Sequence, residues 1–421
     1  MDGFARGEIV SEKERKETGF RVPQPPARPG DAADFSHINF GEPGRLTRPA
    51  IDADPEAFVA HHHELLRVLD DDGKAQGPWA EGISTDELKR ALQSMIRTRA
   101  FDARMMRAQR QGKTSFYMQC FGEEAIAVGM TLCLEDGDMQ FPTYRQQGIL
   151  FTRGMDPEVL MNQIYSNPKD PLEGKQLPVL YSFKDEGFFT ISGNLGTQWP
   201  QAVGWAMASS IKNDDKIAVA YIGDGATAEG DWHQGNLFAS VYRAPVILCV
   251  VNNQWAISTT NAFAGADKNS FAARLASYGL PAIRVDGNDI LAVIGACRYA
   301  AERARAGYGA VGIEFMTYRG AAHSTSDDPT KYRPKDEIDA WPMGDPIDRL
   351  KAHLTTIGAL TDAEIETMEK DAEVEMREAE TRAEANGLVH AGQGADASKM
   401  FDKVYEEMPG RLVEQKNEAG F

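Results

Sequence analysis

The sequence predicts an α/β protein: a mainly parallel central sheet flanked by helices, with an extended N-terminal arm and a helical C-terminal tail. Three observations carry that expectation. Short apolar runs suited to buried strands alternate with helix-period segments between residues 84 and 341, the pattern of a parallel sheet. The apolar run 217–222 ends in Gly223-Asp224-Gly225, a turn at a strand's carboxyl end, where ligands of open α/β sheets bind. After an intervening helical stretch, a second apolar run ends in Asn252-Asn253.

Taken in order, residues 1–83 hold PQPPARPG at 23–30 and a second Pro/Gly-rich stretch over 41–49, which read as an extended arm, one that would wrap a partner subunit. His61-His62-His63-Glu64 fails the HExxH metal motif because Arg67 stands at the second histidine position, so it reads as a helix start. Ser84 with Glu87 forms a capping box, and Leu88, Leu92, Met95 and Ile96 follow at helical spacing until Gly112. Helices are then expected over 123–134, 198–211, 227–243 and 290–305, and strands over 138–143, 217–222, 282–285 and 312–318. Thr361 with Glu364 caps a charged helix reaching about residue 386, and 398–408 reads as an amphipathic turn set. The expected division is an arm (1–83), an α/β core (84–344) and a helical C-terminal region (345–421).

The chemistry concentrates where the two apolar runs end. Glycines let a backbone approach a phosphate closely, while Asp224 and the Asn253 amide oxygen are hard ligands suited to Mg²⁺. The pair of runs therefore reads as a magnesium-diphosphate cradle, with the following helix start aimed at the anion. Two rival phosphate motifs fail: QGKT at 111–114 lacks the upstream glycine of a Walker loop, since Arg107 stands there, and GDG lacks the third glycine of a dinucleotide fingerprint.

Composition narrows the partners. A chain of 421 residues with 42% hydrophobic content can bury a large core, and a net charge of −18 argues against nucleic acid or an anionic membrane as main partner. Cys120, Cys133, Cys249 and Cys297 are widely spaced without a CxxC, which reads as buried free thiols in a reducing compartment. With no apolar stretch long enough for a membrane span and no signal-like core in residues 1–31, the expected location is the cytoplasm.

From residue 84 to 408 the chain resembles the alpha subunit of the branched-chain 2-oxo acid dehydrogenase decarboxylating component. The resemblance rests on QGKTSFYM at 111–118, GEEA at 122–125, TYRQQG at 143–148, ISGNLGTQWPQAVG at 191–204, the GDG-to-NN run, RVDGND at 284–289, TYRGAAHSTSDDPTKYR at 317–333 and VYEEMP at 404–409. It implies a thiamine diphosphate-binding fold. Asp224, Asn253 and the Trp255 carbonyl would hold Mg²⁺. Tyr144, Arg145, Gly193, Leu195, Gly225, Ala226 and Arg319 would contact the cofactor, with Leu195 supporting its bend. Ser192, Asn194, Thr197 and Gln198 would form a loop for K⁺. Phe116, Tyr117 and Leu195 would line a substrate pocket, and His323 would be the catalytic histidine. The chain departs from relatives at Val251, Ala322 and Pro334, and in the cation loop at Gly193 and Asn194.

The implied activity is decarboxylation of a branched 2-oxo acid and transfer of the acyl group to the lipoyl group of an acyltransferase component. One diphosphate-binding unit leaves too little chain for a second, so the resemblance implies a separate beta subunit in an α2β2 heterotetramer. It leaves open a pyruvate or acetoin dehydrogenase alpha subunit and, from a different class, a noncatalytic scaffold of the same fold.

Overall fold

The computed structural model describes residues 20–421, so the first part of the expected arm lies outside the described residues. The chain passes through α1 (Val59–His63), α2 (Thr85–Arg110), α3 (Glu124–Thr131), β1 (Met139–Phe141), α4 (Gly148–Thr152) and α5 (Pro157–Ile164). It continues with α6 (Gln198–Lys212), β2 (Ala218–Gly223), α7 (Gly230–Val241), β3 (Val246–Asn252), β4 (Trp255–Ala256) and β5 (Thr259–Thr260). Then come α8 (Phe271–Ala276), β6 (Ala282–Asp286), α9 (Ile290–Arg305), β7 (Val311–Met316), α10 (Pro346–Thr356), α11 (Asp362–Ala385) and α12 (Gly410–Glu418).

Five strands form one sheet in the order β1-β2-β3-β7-β6, every neighbouring pair parallel. Successive side chains of a strand face opposite sides, so a sheet covered on both faces needs unbroken apolar runs. In β2, Val219 and Tyr221 enter the core shared with α2, α3, α9, α10 and α11, while Ala218, Ala220 and Ile222 enter the one shared with α6, α7 and α8. Ile247, Cys249 and Val251 of β3 alternate with Val246, Leu248 and Val250 in the same way.

Both capping boxes form, at Ser84/Glu87 and Thr361/Glu364. The expected 138–143 strand shortens at both ends. Asp138 spends its carboxylate on the Ile217 amide (2.9 Å) and on Arg305 (2.7 Å), and Thr143 turns to Gln146. The expected 227–243 helix begins later, because Gly225–Ala228 forms a 3-10 turn and Glu229 is extended before α7. The expected 123–134 helix ends at Thr131. Residues 398–408 hold only a 3-10 turn and irregular chain, while α12, which periodicity did not suggest, follows Pro409.

The described arm packs on its own core. Leu66 makes a parallel bridge to Val285 at the β6 edge, and the amides of Val68 and Leu69 donate to Asp289 Oδ2 at 2.8 and 2.6 Å. Trp79 is buried and donates to the Leu46 carbonyl (3.0 Å). His61 and His62 are buried in this packing rather than gathered on a metal, and no group of three candidate metal-binding side chains occurs among the described residues. Cys120, Cys249 and Cys297 are buried and Cys133 is partly so, all unpaired. No helix among the described residues is long and apolar enough to cross a membrane.

Candidate active site

A cavity of about 510 Å³ opens at the carboxyl ends of β2 and β3. Asp224, the first residue past β2, is only 2% exposed. Its Oδ1 accepts the Gly225 amide (2.7 Å), and its Oδ2 is buried with no hydrogen-bond partner among the described residues. Burial pushes the carboxyl up to about 7, and the Glu123 carboxylate adds to the effect. An orphaned buried acceptor is costly unless a donor or cation meets it. A hard divalent cation fits this atom.

The following residues are shaped around it. A Cβ on Gly225 would come within 2.3 Å of the Ala256 Cβ, so only glycine fits there. Asn253 gives its amide nitrogen to Glu123 Oε1 (2.7 Å), which fixes the orientation of its amide oxygen, an acceptor for the Trp255 amide at 3.2 Å. Glu123, 3% exposed, is the acidic cavity residue that motif reading passed over, although it stands inside the GEEA run. Its other neighbour is Arg145, 3.9 Å away.

Arg145 is buried and committed on three sides. It donates to the Gln119 carbonyl, to the His323 carbonyl (2.6 Å) and toward His323 Nδ1 (3.2 Å). Burial first, then the positive charges of Arg145 and Arg319, hold the His323 imidazole down to about 4. It is therefore neutral at pH 7, and with Nδ1 facing a guanidinium donor its proton sits on Nε2. Tyr144 meets the His323 ring edge-on at 5.8 Å between centroids.

The remaining expected residues divide. Phe116, Gly193, Leu195, Ala226 and Trp255 lie on the cavity together with Tyr144, Arg145, Asp224, Gly225, Asn253 and His323. Tyr117 does not: its ring is fully buried because its hydroxyl needs a partner and finds Asp102 at 2.6 Å. Arg319 stands behind the wall, donating to the carbonyls of Trp255 (3.2 Å) and Ile257 (2.9 Å) and to Tyr332 (2.6 Å). In the 192–198 loop the Thr197 hydroxyl donates to the Asn194 carbonyl (2.9 Å), and the Asn194 amide donates to Ser192 Oγ (3.1 Å). Gln198 joins the loop to the sheet: its amide oxygen accepts the Gly196 amide (3.0 Å) and its amide nitrogen donates to the Tyr221 carbonyl (2.8 Å). The segment Leu177 to Leu180 also lines the cavity; it belongs to no quoted motif, so only its tertiary position reveals it.

Fold and site together define an α/β protein whose ligand cavity lies at the carboxyl ends of parallel strands. Residues 92–391 match the family described as Dehydrogenase E1 component, and residues 16–56 match the 2-oxoisovalerate dehydrogenase E1 alpha subunit N terminal. The chain is 53% identical to the 2-oxoisovalerate dehydrogenase subunit alpha of Pseudomonas aeruginosa, covering 95% of this chain and 97% of that protein. It is 38% identical to the mitochondrial alpha subunit of Mus musculus over 84% of this chain and 78% of that one. The human counterpart is 35% identical over 98% and 89%. The chain belongs to the dehydrogenase E1 component family.

Proposed function

We propose that this chain is the alpha subunit of a thiamine diphosphate-dependent 3-methyl-2-oxobutanoate dehydrogenase, acting with a beta subunit in an α2β2 heterotetramer and with a lipoyl-bearing acyltransferase in the cytoplasm. The observation that carries the site is the unpartnered Asp224 Oδ2 on a cavity shared with Arg145 and His323. Asp224, the Asn253 amide oxygen and the Trp255 carbonyl would hold Mg²⁺. Tyr144 and Arg145 would meet the diphosphate, with Gly193, Leu195, Gly225 and Ala226 against the cofactor. Ser192, Asn194, Thr197 and Gln198 are the candidates for a K⁺ loop. The division into arm, α/β core and helical tail is part of the same reading.

When bound, thiamine diphosphate supplies the electron sink for loss of carbon dioxide from a 2-oxo acid. The protein's work is orientation and charge. His323 presents a neutral imidazole with Nε2–H as a donor, suited to a substrate carboxylate or to developing negative charge. Arg145 keeps that tautomer in place and adds positive charge. Glu123 holds the Asn253 amide so that its oxygen stays an acceptor. Arg319 braces the Trp255 and Ile257 carbonyls from behind.

The test is carbon dioxide release by the chain assembled with its beta subunit, from 3-methyl-2-oxobutanoate and from pyruvate, with and without thiamine diphosphate and Mg²⁺. Cofactor-dependent release favouring the branched acid is expected. Preference for pyruvate would replace the substrate assignment, and a stable complex that binds no cofactor would overturn the catalytic reading.

A further inference from the structure

We propose that the turn Leu177-Pro178-Val179-Leu180 is the specificity-determining wall of the cavity, packing on the branched aliphatic end of the 2-oxo acid, and that Gln163 is the residue that positions it. The inference rests on the functional reading above and adds the element that would select the substrate. Arg145, His323, Asp224 and Asn253 give the cavity a polar side suited to charged groups. The acid's hydrocarbon end needs apolar surface, and this turn supplies four consecutive lining residues.

The turn is held in a conformation that its sequence disfavours. Val179 sits at φ +65°, in the left-handed region, although it is β-branched and only 1% exposed. Such a residue persists there only where its surroundings over-determine it, and strain of this kind clusters at ligand-binding positions. Here Gln163, fully buried near the end of α5, donates its amide nitrogen to the carbonyls of both Leu180 (2.9 Å) and Leu177 (3.2 Å). The Leu180 amide closes the turn on the Leu177 carbonyl (3.1 Å), and the Ile191 amide ties the exit at Tyr181 (3.0 Å) to the segment leading into Gly193 and Leu195. A turn clamped at both ends cannot close around a smaller ligand. A substrate ending in a single methyl would leave apolar surface uncovered, whereas an isopropyl group covers it.

The experiment uses the assembled complex with the beta subunit and compares kcat/KM for 3-methyl-2-oxobutanoate and pyruvate in wild type, Val179→Ala, Leu180→Ala, Val179→Ile and Gln163→Met. Binding of thiamine diphosphate with Mg²⁺ is measured by calorimetry on each. The branched-over-pyruvate ratio is expected to fall about tenfold or more in the two alanine variants, a change of the size that small apolar differences produce. Val179→Ile narrows the space without losing apolar contact, so it should also lower the ratio and keeps the test alive if the alanine variants fold poorly. Gln163→Met should raise KM for the branched acid more than it lowers kcat, with cofactor affinity unchanged. Unchanged ratios in an active complex, or weakened cofactor binding without a change in ratio, would overturn the wall assignment alone. A wild-type complex that releases no carbon dioxide from either acid would overturn the functional reading and this inference with it.

Discussion

Asp224 and His323 are single residues whose surroundings set their chemistry. Asp224 carries a carboxyl pushed up to about 7 by burial, with one oxygen unpartnered. Replacing it with Asn removes the charge that a divalent cation would satisfy, so Mg²⁺-dependent retention of thiamine diphosphate should weaken by more than about tenfold, or ~1.4 kcal/mol, in equilibrium binding. His323→Asn should leave that binding nearly intact and lower kcat by about a hundredfold or more, the range of general acid–base contributions; equal losses in both would sink the assigned role. Asp224 was legible because it stands between two glycines after an apolar run, and His323 because the family pattern places a histidine immediately before STSDD. The motifs said nothing of the Glu123 link to Asn253 or of the Asp102 partner that draws Tyr117 into the core, since those partners lie far away in sequence.

Elements depend on caps and close approaches that respond to measurement. Helix α1 buries His61 and His62, and burial holds His62 down to about 4 with help from the charges of His63 and His61. The unfolded chain therefore takes up a proton near pH 6.5 that the native arm refuses. Between pH 6.5 and about 4 the unfolded state binds more protons, so stability falls as pH drops. His62→Gln should flatten that slope, read by denaturant unfolding at pH 7 and pH 5. Between α6 and α7 a Cβ on Gly235 would lie 2.5 Å from Trp199 Cδ1. Gly235→Ala should therefore cost about 1–3 kcal/mol through overpacking, visible as a lower Tm. Capping boxes were readable because their signal is local. The start of α7 was not, because the carbonyl of Asp224 captures the Thr227 amide (3.2 Å) and hydroxyl (2.7 Å) and diverts the first turn into 3-10 form.

At the scale of the molecule, the cavity has few acidic groups to offer. Among the described residues its acidic lining consists of Glu123, Asp224 and Glu229. The first is tied to Asn253 and the second caps the turn after β2, while Glu229 is exposed just before α7. In the proposed heterotetramer the beta subunit would supply the further acid that completes the site, so the isolated chain is expected to release no carbon dioxide even with cofactor and Mg²⁺, and mixing with its beta subunit should restore turnover; an active isolated chain would contradict that division.

By itself the sequence determined the parallel α/β class and the strand ends that carry Asp224, Gly225 and Asn253, because strand periodicity and glycine turns act over a few neighbouring positions; the resemblance to a known family added Phe116, Tyr144, Arg145, Gly193, Leu195, Ala226, Trp255 and His323 on the cavity. Tertiary structure alone decided the β1-β2-β3-β7-β6 order, the docking of residues 20–83 on the core, the retreat of Arg319 and Tyr117 from the cavity, and the strained Val179 turn. Each of these depends on which distant group satisfies a buried donor, acceptor or charge, and that pairing exists only once the chain has folded.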